Sequence, residues 1–224
     1  ILELMQGTVR TLLDKNPQLS WETKRSVALQ MTKGIAYLHN INGTRYSRES
    51  ILHQDLKPAN LLVSSLNDSP NIQVKITDFG IARQLNKITV PILGTVYKDM
   101  GKGEVGGTLQ YVAPEIMRDG MHIIDLNADI FSAGIILWEI ATTKAPERTK
   151  HEILTGTFIE FKLDKRAASK LDTSTMMSRV TNKMQPAYPR SAFFGGIINK
   201  CIKVEQDSRM SAEELLNAMQ NLTI

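Results

Sequence analysis

The apolar residues of the chain recur at helical spacing in four stretches. Between Ser20 and His39 they follow one another at intervals of three and four, the period of a helix with one buried face, and Ser20 is placed to cap its first turn. Residues 129–141 are apolar on nearly every side, which predicts a helix at the centre of the domain. Two more helices are expected over residues 193–204 and from Ser211, where a Ser and a Glu three residues apart fit a capping box.

Short apolar runs predict a few short strands between these helices. Residues 51–53 and 61–63 flank a polar loop that contains a proline, and residues 73–76 lead directly into a second polar sequence. Residues 1–5 form a further strand-like run with no turn or cap before it, which is typical of a cut edge. Together the pattern predicts an α+β fold that is mainly α-helical, with a few short strands.

Two long stretches follow neither period. Residues 82–110 are rich in Gly and Thr and are predicted to form a long surface segment. Residues 101–106 within it spell G-x-G-x-x-G, but no strand precedes them, so we interpret them as a flexible loop rather than a dinucleotide site. Residues 143–190 are polar and weakly patterned, and we expect only short helices there.

Composition narrows the class of protein. Of the 224 residues 42% are hydrophobic and 22% charged, which excludes disordered and collagen-like chains. The net charge of +4 is mild and forms no basic run, so neither a nucleic acid nor a membrane is implied as a partner. Cys201 is the only cysteine and cannot form an internal disulfide, which favours a cytoplasmic location, with the nucleus as an alternative. The oligomeric state stays open.

Three motifs follow one another along the chain. Residues 53–60 read His-Gln-Asp-Leu-Lys-Pro-Ala-Asn, Asp-Phe-Gly follows after 17 residues at 78–80, and Ala-Pro-Glu stands at 113–115. A tripeptide alone arises by chance in a few per cent of chains of this length, whereas three motifs in order are a strong signal. Their order and spacing resemble the protein kinase superfamily, over nearly the whole chain from residue 3 to about residue 216.

The resemblance implies transfer of the ATP γ-phosphoryl group with the help of Mg²⁺. By analogy with the family, Asp55 accepts the proton of the substrate hydroxyl and Lys57 neutralises the moving phosphate, while Asn60 and Asp78 hold the metal. Oxygen ligands of this kind suit Mg²⁺. The alternative interpretation of Asp55 and Asp78 is that they are turn residues beside strands.

Other residues match the family at positions that bind adenine. Glu3 and Met5 fall where the family's hinge offers backbone groups to adenine, and Leu62 resembles the residue beneath the base. For Leu62 plain core packing is an equally good interpretation.

Several matches are structural in the family. His53 and Phe79 resemble members of an apolar stack behind the metal-binding loop, and Asp129 resembles the residue that anchors the catalytic loop. Arg209 falls where the family pairs an arginine with the Glu of the Ala-Pro-Glu motif, here Glu115. Such a buried ion pair fixes geometry more than it adds stability.

The resemblance also implies a substrate class. Lys57-Pro58 and the sequence Gly-Thr-Leu-Gln-Tyr at 107–111 resemble serine/threonine kinases, so the expected partner is a protein with an acceptor Ser or Thr. Residues 33–39 and the pair Trp138-Glu139 resemble the tyrosine-kinase-like branch of these enzymes. Thr108 is expected to bond Asp55 or Lys57 and to shape the floor of the substrate site.

The resemblance divides the chain into parts. Residues 1–7 match the hinge, residues 8–224 the large C-terminal lobe, and residues 78–115 the activation segment. Only 54 residues precede Asp55, so the small lobe with its Gly-rich loop is expected to be absent from these residues, and the 224 residues alone are expected to be nearly inactive. A kinase-like module that binds partners without catalysis is therefore the alternative function.

One residue departs from the family's usual pattern. Gln54 stands where many kinases have an arginine that receives a phosphate on the activation segment. A glutamine carries no charge to grip a phosphate. We therefore predict that activity does not depend on a phosphate held at this position.

Overall fold

A computed structural model describes residues 4–39, 50–84, 107–117, 125–146 and 191–222. Helices dominate these ranges, as the periodicity predicts, and the strands are two or three residues long. The α-helices are α1 (Val9–Lys15), α2 (Trp21–Leu38), α3 (Pro114–Met117), α4 (Asn127–Thr142), α5 (Ser191–Cys201) and α6 (Ala212–Gln220). The strands are β1 (Gly7–Thr8), β2 (Ile51–Leu52), β3 (Leu61–Val63), β4 (Val74–Ile76) and β5 (Arg83–Gln84). Three 3₁₀ turns cover Pro58–Asn60, Gly107–Tyr111 and Gln206–Ser208. The α+β, mainly α-helical fold class is confirmed.

The strands pair in two small antiparallel sheets. In the first, β3 lies between β1 and β4, with Thr8 opposite Leu62 and Leu62 opposite Lys75. In the second, β2 pairs with β5, so that Ile51 lies opposite Gln84. The loop between β2 and β3 therefore begins at a strand of the second sheet and ends at a strand of the first, and the two sheets hold its ends in place.

The helix α4 forms the centre of the core. Every residue from Ala128 to Ala141 is buried. The helix packs against α5 and α2, and α2 packs against α6. Gly134 permits the close approach of α5, because a Cβ atom built there would lie 2.6 Å from Cys201 Cβ. The buried helix predicted over 129–141 is thus confirmed.

The helix ends agree well with their predicted caps. Ser20 accepts a hydrogen bond from Thr23 N at 3.3 Å, and Asp68 holds Ser20 in place from the loop between β3 and β4. At the start of α6, Ser211 Oγ and the carboxylate of Glu214 bond each other's backbone N–H, as the capping box requires.

The structure differs from the sequence interpretation in several places. Residues 4 and 5 of the strand-like run are not in a strand, and the helix predicted over 193–204 ends at Cys201. The helix α1 was not expected, although Thr8 caps it by accepting a hydrogen bond from Thr11 N. The strand β5 lies inside the 82–110 stretch that we expected to be a surface segment. Its partner β2 is distant in sequence, and a pattern that reads only neighbouring residues does not reveal such pairing. The glycine pattern at 101–106 and most of the 143–190 stretch lie outside the described residues.

Candidate active site

Three of the four residues predicted to carry chemistry lie in hydrogen-bond contact. Asp55, Lys57 and Asn60 all belong to the loop between β2 and β3. The Lys57 Nζ atom donates to Asp55 Oδ2 at 2.7 Å, and Asn60 Nδ2 donates to the same oxygen at 3.0 Å. Asn60 Nδ2 also reaches the backbone oxygen of Asp55 at 2.8 Å. Within the described residues no donor contacts the other carboxylate oxygen, Oδ1.

A short turn brings these side chains to the same place. Lys57 has an extended backbone, and the 3₁₀ turn Pro58–Asn60 follows it, closed by a hydrogen bond from Asn60 N to Lys57 O at 2.9 Å. Pro58 occupies the first position of the turn, where its missing N–H costs nothing and its fixed φ suits the turn. The turn reverses the chain, so the Asn60 carboxamide points back at Asp55.

The base of the loop is fixed by the central helix. Asp129, in the first turn of α4, is fully buried, and its carboxylate accepts from the backbone N–H of His53 at 2.8 Å and of Gln54 at 2.9 Å. The ring Nε2 of His39 lies 3.0 Å from the same carboxylate. Gln54 has a φ of 70°, a conformation that non-glycine residues rarely adopt. Asp129 thus anchors the catalytic loop, as expected from the resemblance, and it also holds a strained backbone directly before Asp55.

A second chain of hydrogen bonds joins this loop to Asp78. Thr77 N donates to Asn60 O at 3.0 Å, and Thr77 O lies 2.9 Å from His53 Nε2. Because Thr77 O can only accept, His53 Nε2 carries a proton, and its Nδ1 accepts from Asp55 N at 3.3 Å. Asp78, the next residue, is therefore tied to the loop through its neighbour.

The local environment of Asp78 is open and conformationally restricted. The residue is exposed, with a φ of 65°, and a Cβ atom at Gly80 would lie 3.3 Å from Asp78 Oδ1. The ring of Phe79 packs on that of His53, with 5.0 Å between the centroids, as the expected apolar stack requires. The small residue Gly80 leaves room for the carboxylate of Asp78.

The chemistry of these side chains fits a magnesium ion. The donor side of the Asn60 carboxamide is committed to Asp55, which leaves its oxygen as a ligand atom. The Asp78 carboxylate would supply a second oxygen ligand. Mg²⁺ prefers oxygen ligands and takes few from the protein, because it retains waters and binds substrate phosphates.

The residues expected near adenine are placed only in part. The side chain of Leu62 is half-buried and points to the opposite side of β3 from the buried Leu61 and Val63. Met5 is half-buried just before β1, next to Gln6, whose N–H bonds Val63 O at 2.9 Å. Glu3 lies outside the described residues.

The expected ion pair below the site is present. Arg209 donates from Nη1 and Nη2 to the two carboxylate oxygens of Glu115, at 2.5 and 2.6 Å. Its remaining donors bond the backbone oxygens of Asn127, Lys203 and Val204. The guanidinium group therefore uses all five N–H donors and joins α3, α4 and the segment that follows α5.

A family model described as the protein kinase domain matches residues 1–219 of the chain. The chain belongs to the protein kinase family. Enzymes of this family use ATP, generally with Mg²⁺.

Curated kinases of several organisms resemble this kinase domain. A putative serine/threonine-protein kinase/receptor of Acanthamoeba polyphaga mimivirus is 35% identical over 132 residues, which are 58% of this chain and 6% of that protein. A G-type lectin S-receptor-like serine/threonine-protein kinase of Arabidopsis thaliana is 36% identical over 61% of this chain and 14% of that protein. A mitogen-activated protein kinase kinase of Nicotiana tabacum is 28% identical over 96% of this chain and 51% of that protein. The chain thus spans about half or less of these relatives.

Gln54 and Thr108, two residues singled out in the sequence, have different outcomes in the structure. Gln54 is buried, and its side-chain oxygen Oε1 has no hydrogen-bond partner among the described residues. The side chain of Thr108 lies outside the described part, so its expected bond to Asp55 or Lys57 stays a prediction. No helix in the described ranges is long and apolar enough to cross a bilayer.

Sequence reasoning missed one group of buried residues in the kinase domain. Glu139 in α4 contacts both Arg10 of α1 and Tyr111 of the turn before Ala113. A charged residue within the otherwise apolar stretch 133–141 is the one signal that could have revealed it, because a buried carboxylate needs a partner.

Proposed function

We propose that this kinase domain transfers the γ-phosphoryl group of ATP to serine or threonine hydroxyls of proteins, with Asp55 as the base. The observation that carries the proposal is the environment of the Asp55 carboxylate. Its Oδ2 atom is occupied by Lys57 and Asn60, whereas Oδ1 receives no donor among the described residues. An acceptor hydroxyl can therefore donate its hydrogen bond to Oδ1.

The reaction uses this arrangement in one displacement. The acceptor hydroxyl oxygen attacks the γ-phosphorus and forms a new P–O bond, its proton passes to Asp55 Oδ1, and the bond to the β,γ-bridging oxygen breaks. ADP leaves with the electron pair of that bond. Lys57, already held beside Asp55, supplies positive charge against the oxygens of the transferred group.

Magnesium completes the proposed site. Asn60 through Oδ1 and Asp78 through its carboxylate are the residues that would hold the ion. When bound, Mg²⁺ neutralises charge on the phosphate oxygens. Thr77 N donates to Asn60 O, and Thr77 O accepts from His53 Nε2; these two hydrogen bonds keep Asn60 and Asp78 in a fixed relation, which limits the reorganisation needed on binding.

ATP is proposed to bind along β1 and β3. The half-exposed face of Leu62 would contact the adenine ring, and the backbone near Met5, with Glu3, would offer hydrogen bonds to its edge. Support for this placement comes from the pairing of β1 with β3, which brings the chain after Met5 next to Leu62.

The acceptor class rests on two further observations. Lys57-Pro58 resembles the catalytic loop of serine/threonine kinases, and the relatives named above are serine/threonine-protein kinases or kinase kinases.

The test measures phosphate transfer by the natural protein that carries these residues. Wild type, Asp55→Asn and Asp207→Asn are incubated with Mg²⁺ and ATP labelled at the γ-phosphate, together with a mixture of peptides with Ser, Thr or Tyr as acceptor. Asp207 is the matched control, an exposed aspartate in the Gln206–Ser208 turn.

We expect label on Ser and Thr peptides with wild type and Asp207→Asn, and a loss on the order of 100-fold or more with Asp55→Asn, because general-base and positioning effects of this size are typical. Label that is unchanged in Asp55→Asn would contradict the assignment of the base. Absence of transfer by wild type would favour the non-catalytic binding module instead.

A further inference from the structure

The buried carboxylate of Glu139 joins three parts of the fold. The residue lies near the end of α4, and its side chain is fully buried. Its Oε1 atom accepts from Arg10 Nη1, and its Oε2 atom accepts from the hydroxyl of Tyr111 at 2.7 Å. Helix α1, helix α4 and the turn before Ala113 thus meet at one carboxylate, and both of its oxygens are used.

Tyr111 is held by α4 at two points. Its backbone oxygen accepts from Ser132 Oγ at 2.9 Å, and its hydroxyl donates to Glu139, seven residues further along the same helix. Seven residues are two helical turns, so Ser132 and Glu139 share a face. Burial raises the pKa of Tyr111 to about 12, partly offset by Arg10, so the hydroxyl keeps its proton and remains the donor.

Arg10 supplies the charge that keeps Glu139 in this role. A carboxylate that is removed from water is costly unless a cation or strong donors compensate it. Arg10 also bonds Asp14 on the same helix, from Nε at 3.1 Å and from Nη2 at 2.8 Å, but Asp14 is largely exposed. The guanidinium therefore contacts Asp14 at the surface, where an ion pair contributes little, and Glu139 in the interior.

The turn that ends at Tyr111 is rigidly placed relative to Asp55. Both the catalytic loop, through Asp129, and the turn Gly107–Tyr111, through Ser132 and Glu139, are bonded to α4. By the resemblance noted above, Thr108 within this turn is expected to shape the floor of the substrate site. A displacement of this turn would move the acceptor hydroxyl away from Asp55 and leave ATP in place.

We propose that Arg10 is a positioning residue for the acceptor protein, acting through Glu139 and Tyr111 on the turn Gly107–Tyr111. This inference rests on the proposed function. The described side-chain contacts of Arg10 are with Glu139 and Asp14 and with none of Asp55, Lys57, Asn60 and Asp78. Its effect is therefore expected in the KM for acceptor peptide rather than in the KM for ATP.

The experiment compares Tyr111→Phe, Arg10→Met, the double variant and Asp14→Asn in the natural protein. The readouts are the apparent KM for the Ser/Thr peptide mixture and for ATP. Each of the first two changes is expected to raise the peptide KM about 10-fold, because a hydrogen bond to a charged group is lost, with the ATP KM changed less than about twofold. Asp14→Asn, which alters only the exposed side of Arg10, is expected to change neither value by more than about twofold.

The double variant tests whether both residues act through Glu139. Its peptide KM should be close to that of the worse single variant, since the second change finds the connection already broken. Multiplicative effects would overturn the proposal, as would equal increases in the KM for ATP and for peptide. An unchanged peptide KM in Tyr111→Phe, which keeps the ring and folds most easily, would overturn it as well.

Hydrogen exchange separates this proposal from the proposed function. Backbone amides of residues 109–112 are expected to exchange faster in Arg10→Met than in wild type, measured relative to the amides of α2, and to be unchanged in Asp14→Asn. Equal exchange in the two proteins refutes the positioning role. This measurement needs no phosphate transfer, so a wild type that transfers none would defeat the proposed function and leave the test of Arg10 valid.

Discussion

Removal of Arg209 should unfold the domain more readily than removal of any other arginine for which the structure describes contacts. Its side chain is completely buried, that of Glu115 is 2% exposed, and the two are joined by a bidentate pair. Arg209→Met leaves a buried carboxylate with no cation and three backbone oxygens with no donor from this side chain. Breaking such a pair from one side costs about 3–5 kcal/mol, a large part of the 5–15 kcal/mol that stabilises a typical domain.

The assay is urea unfolding followed at Trp21 and Trp138, which lie in α2 and α4. With an m-value of about 1–3 kcal/mol/M, the loss should lower the urea midpoint by more than about 1 M. Arg25→Met is the matched control, because Arg25 bonds the backbone oxygens of Leu222 and Gln220 but no carboxylate in the described residues. Its cost should be about 1 kcal/mol, the net value of ordinary hydrogen bonds.

A double variant separates charge from packing. Arg209→Met with Glu115→Leu removes both charges, so it should be more stable than Arg209→Met alone, while the three backbone oxygens still cost about 1–3 kcal/mol. The reasoning is refuted if Arg209→Met costs less than about 1 kcal/mol, or if the double variant is less stable than the single one.

Three further predictions concern packing, pH and regulation. Gly134→Ala should lower the free energy of unfolding by about 1–3 kcal/mol, because its Cβ would lie 2.6 Å from Cys201 Cβ and 2.7 Å from Ile202 Cγ2. Gly196→Ala is the control. A Cβ atom there has nothing within 4 Å, so this change should be neutral or stabilising by up to about 1 kcal/mol. Burial raises the pKa of Cys201 and of Tyr111 to about 12 each, from 9.0 and 10.0, so the folded state holds these protons more tightly than the unfolded state does. The stability that this difference contributes below pH 9 should be lost as the pH rises from about 9 to 12. Tyr111→Phe should reduce that loss in unfolding curves measured at alkaline pH. Treatment with a protein phosphatase should leave peptide phosphorylation within about twofold, because Gln54 has no charge to grip a phosphate; an abolished activity that Gln54→Arg alters would contradict this.

The motifs with chemistry could be read from the sequence because their side chains lie close together along the chain. Asp55, Lys57 and Asn60 fall within six residues, and a single turn that begins at Pro58 is enough to bring them into contact. The same holds for the helix caps, in which Ser211 and Glu214 are three residues apart. Local chemistry decides these features, and tertiary structure has little freedom to alter them.

Features that depend on distant partners were accessible only through the family resemblance or not at all. Asp129 and Arg209 were expected only from their place in the motif pattern. Nothing in the residues next to them reveals that they bond residues 53 and 115. The family resemblance indicated neither strand β5 nor the contact between Arg10 and Glu139, which are 129 positions apart. A residue pair of that separation becomes visible only after the chain has folded.

The strained backbone at Gln54 shows how these two kinds of information combine. Its φ of 70° is unfavourable for a residue with a side chain, by about 1–3 kcal/mol, and the neighbouring residues in the sequence do not predict this conformation. Two hydrogen bonds from adjacent N–H groups to the buried Asp129 compensate that cost and hold the conformation. Asp78 has a similar φ of 65°, and it directly follows Thr77, whose backbone is hydrogen-bonded to the loop. Both unusual conformations flank groups proposed to act on ATP, so the core sets the positions of Asp55 and Asp78 through distant contacts, while the local sequence supplies their chemistry.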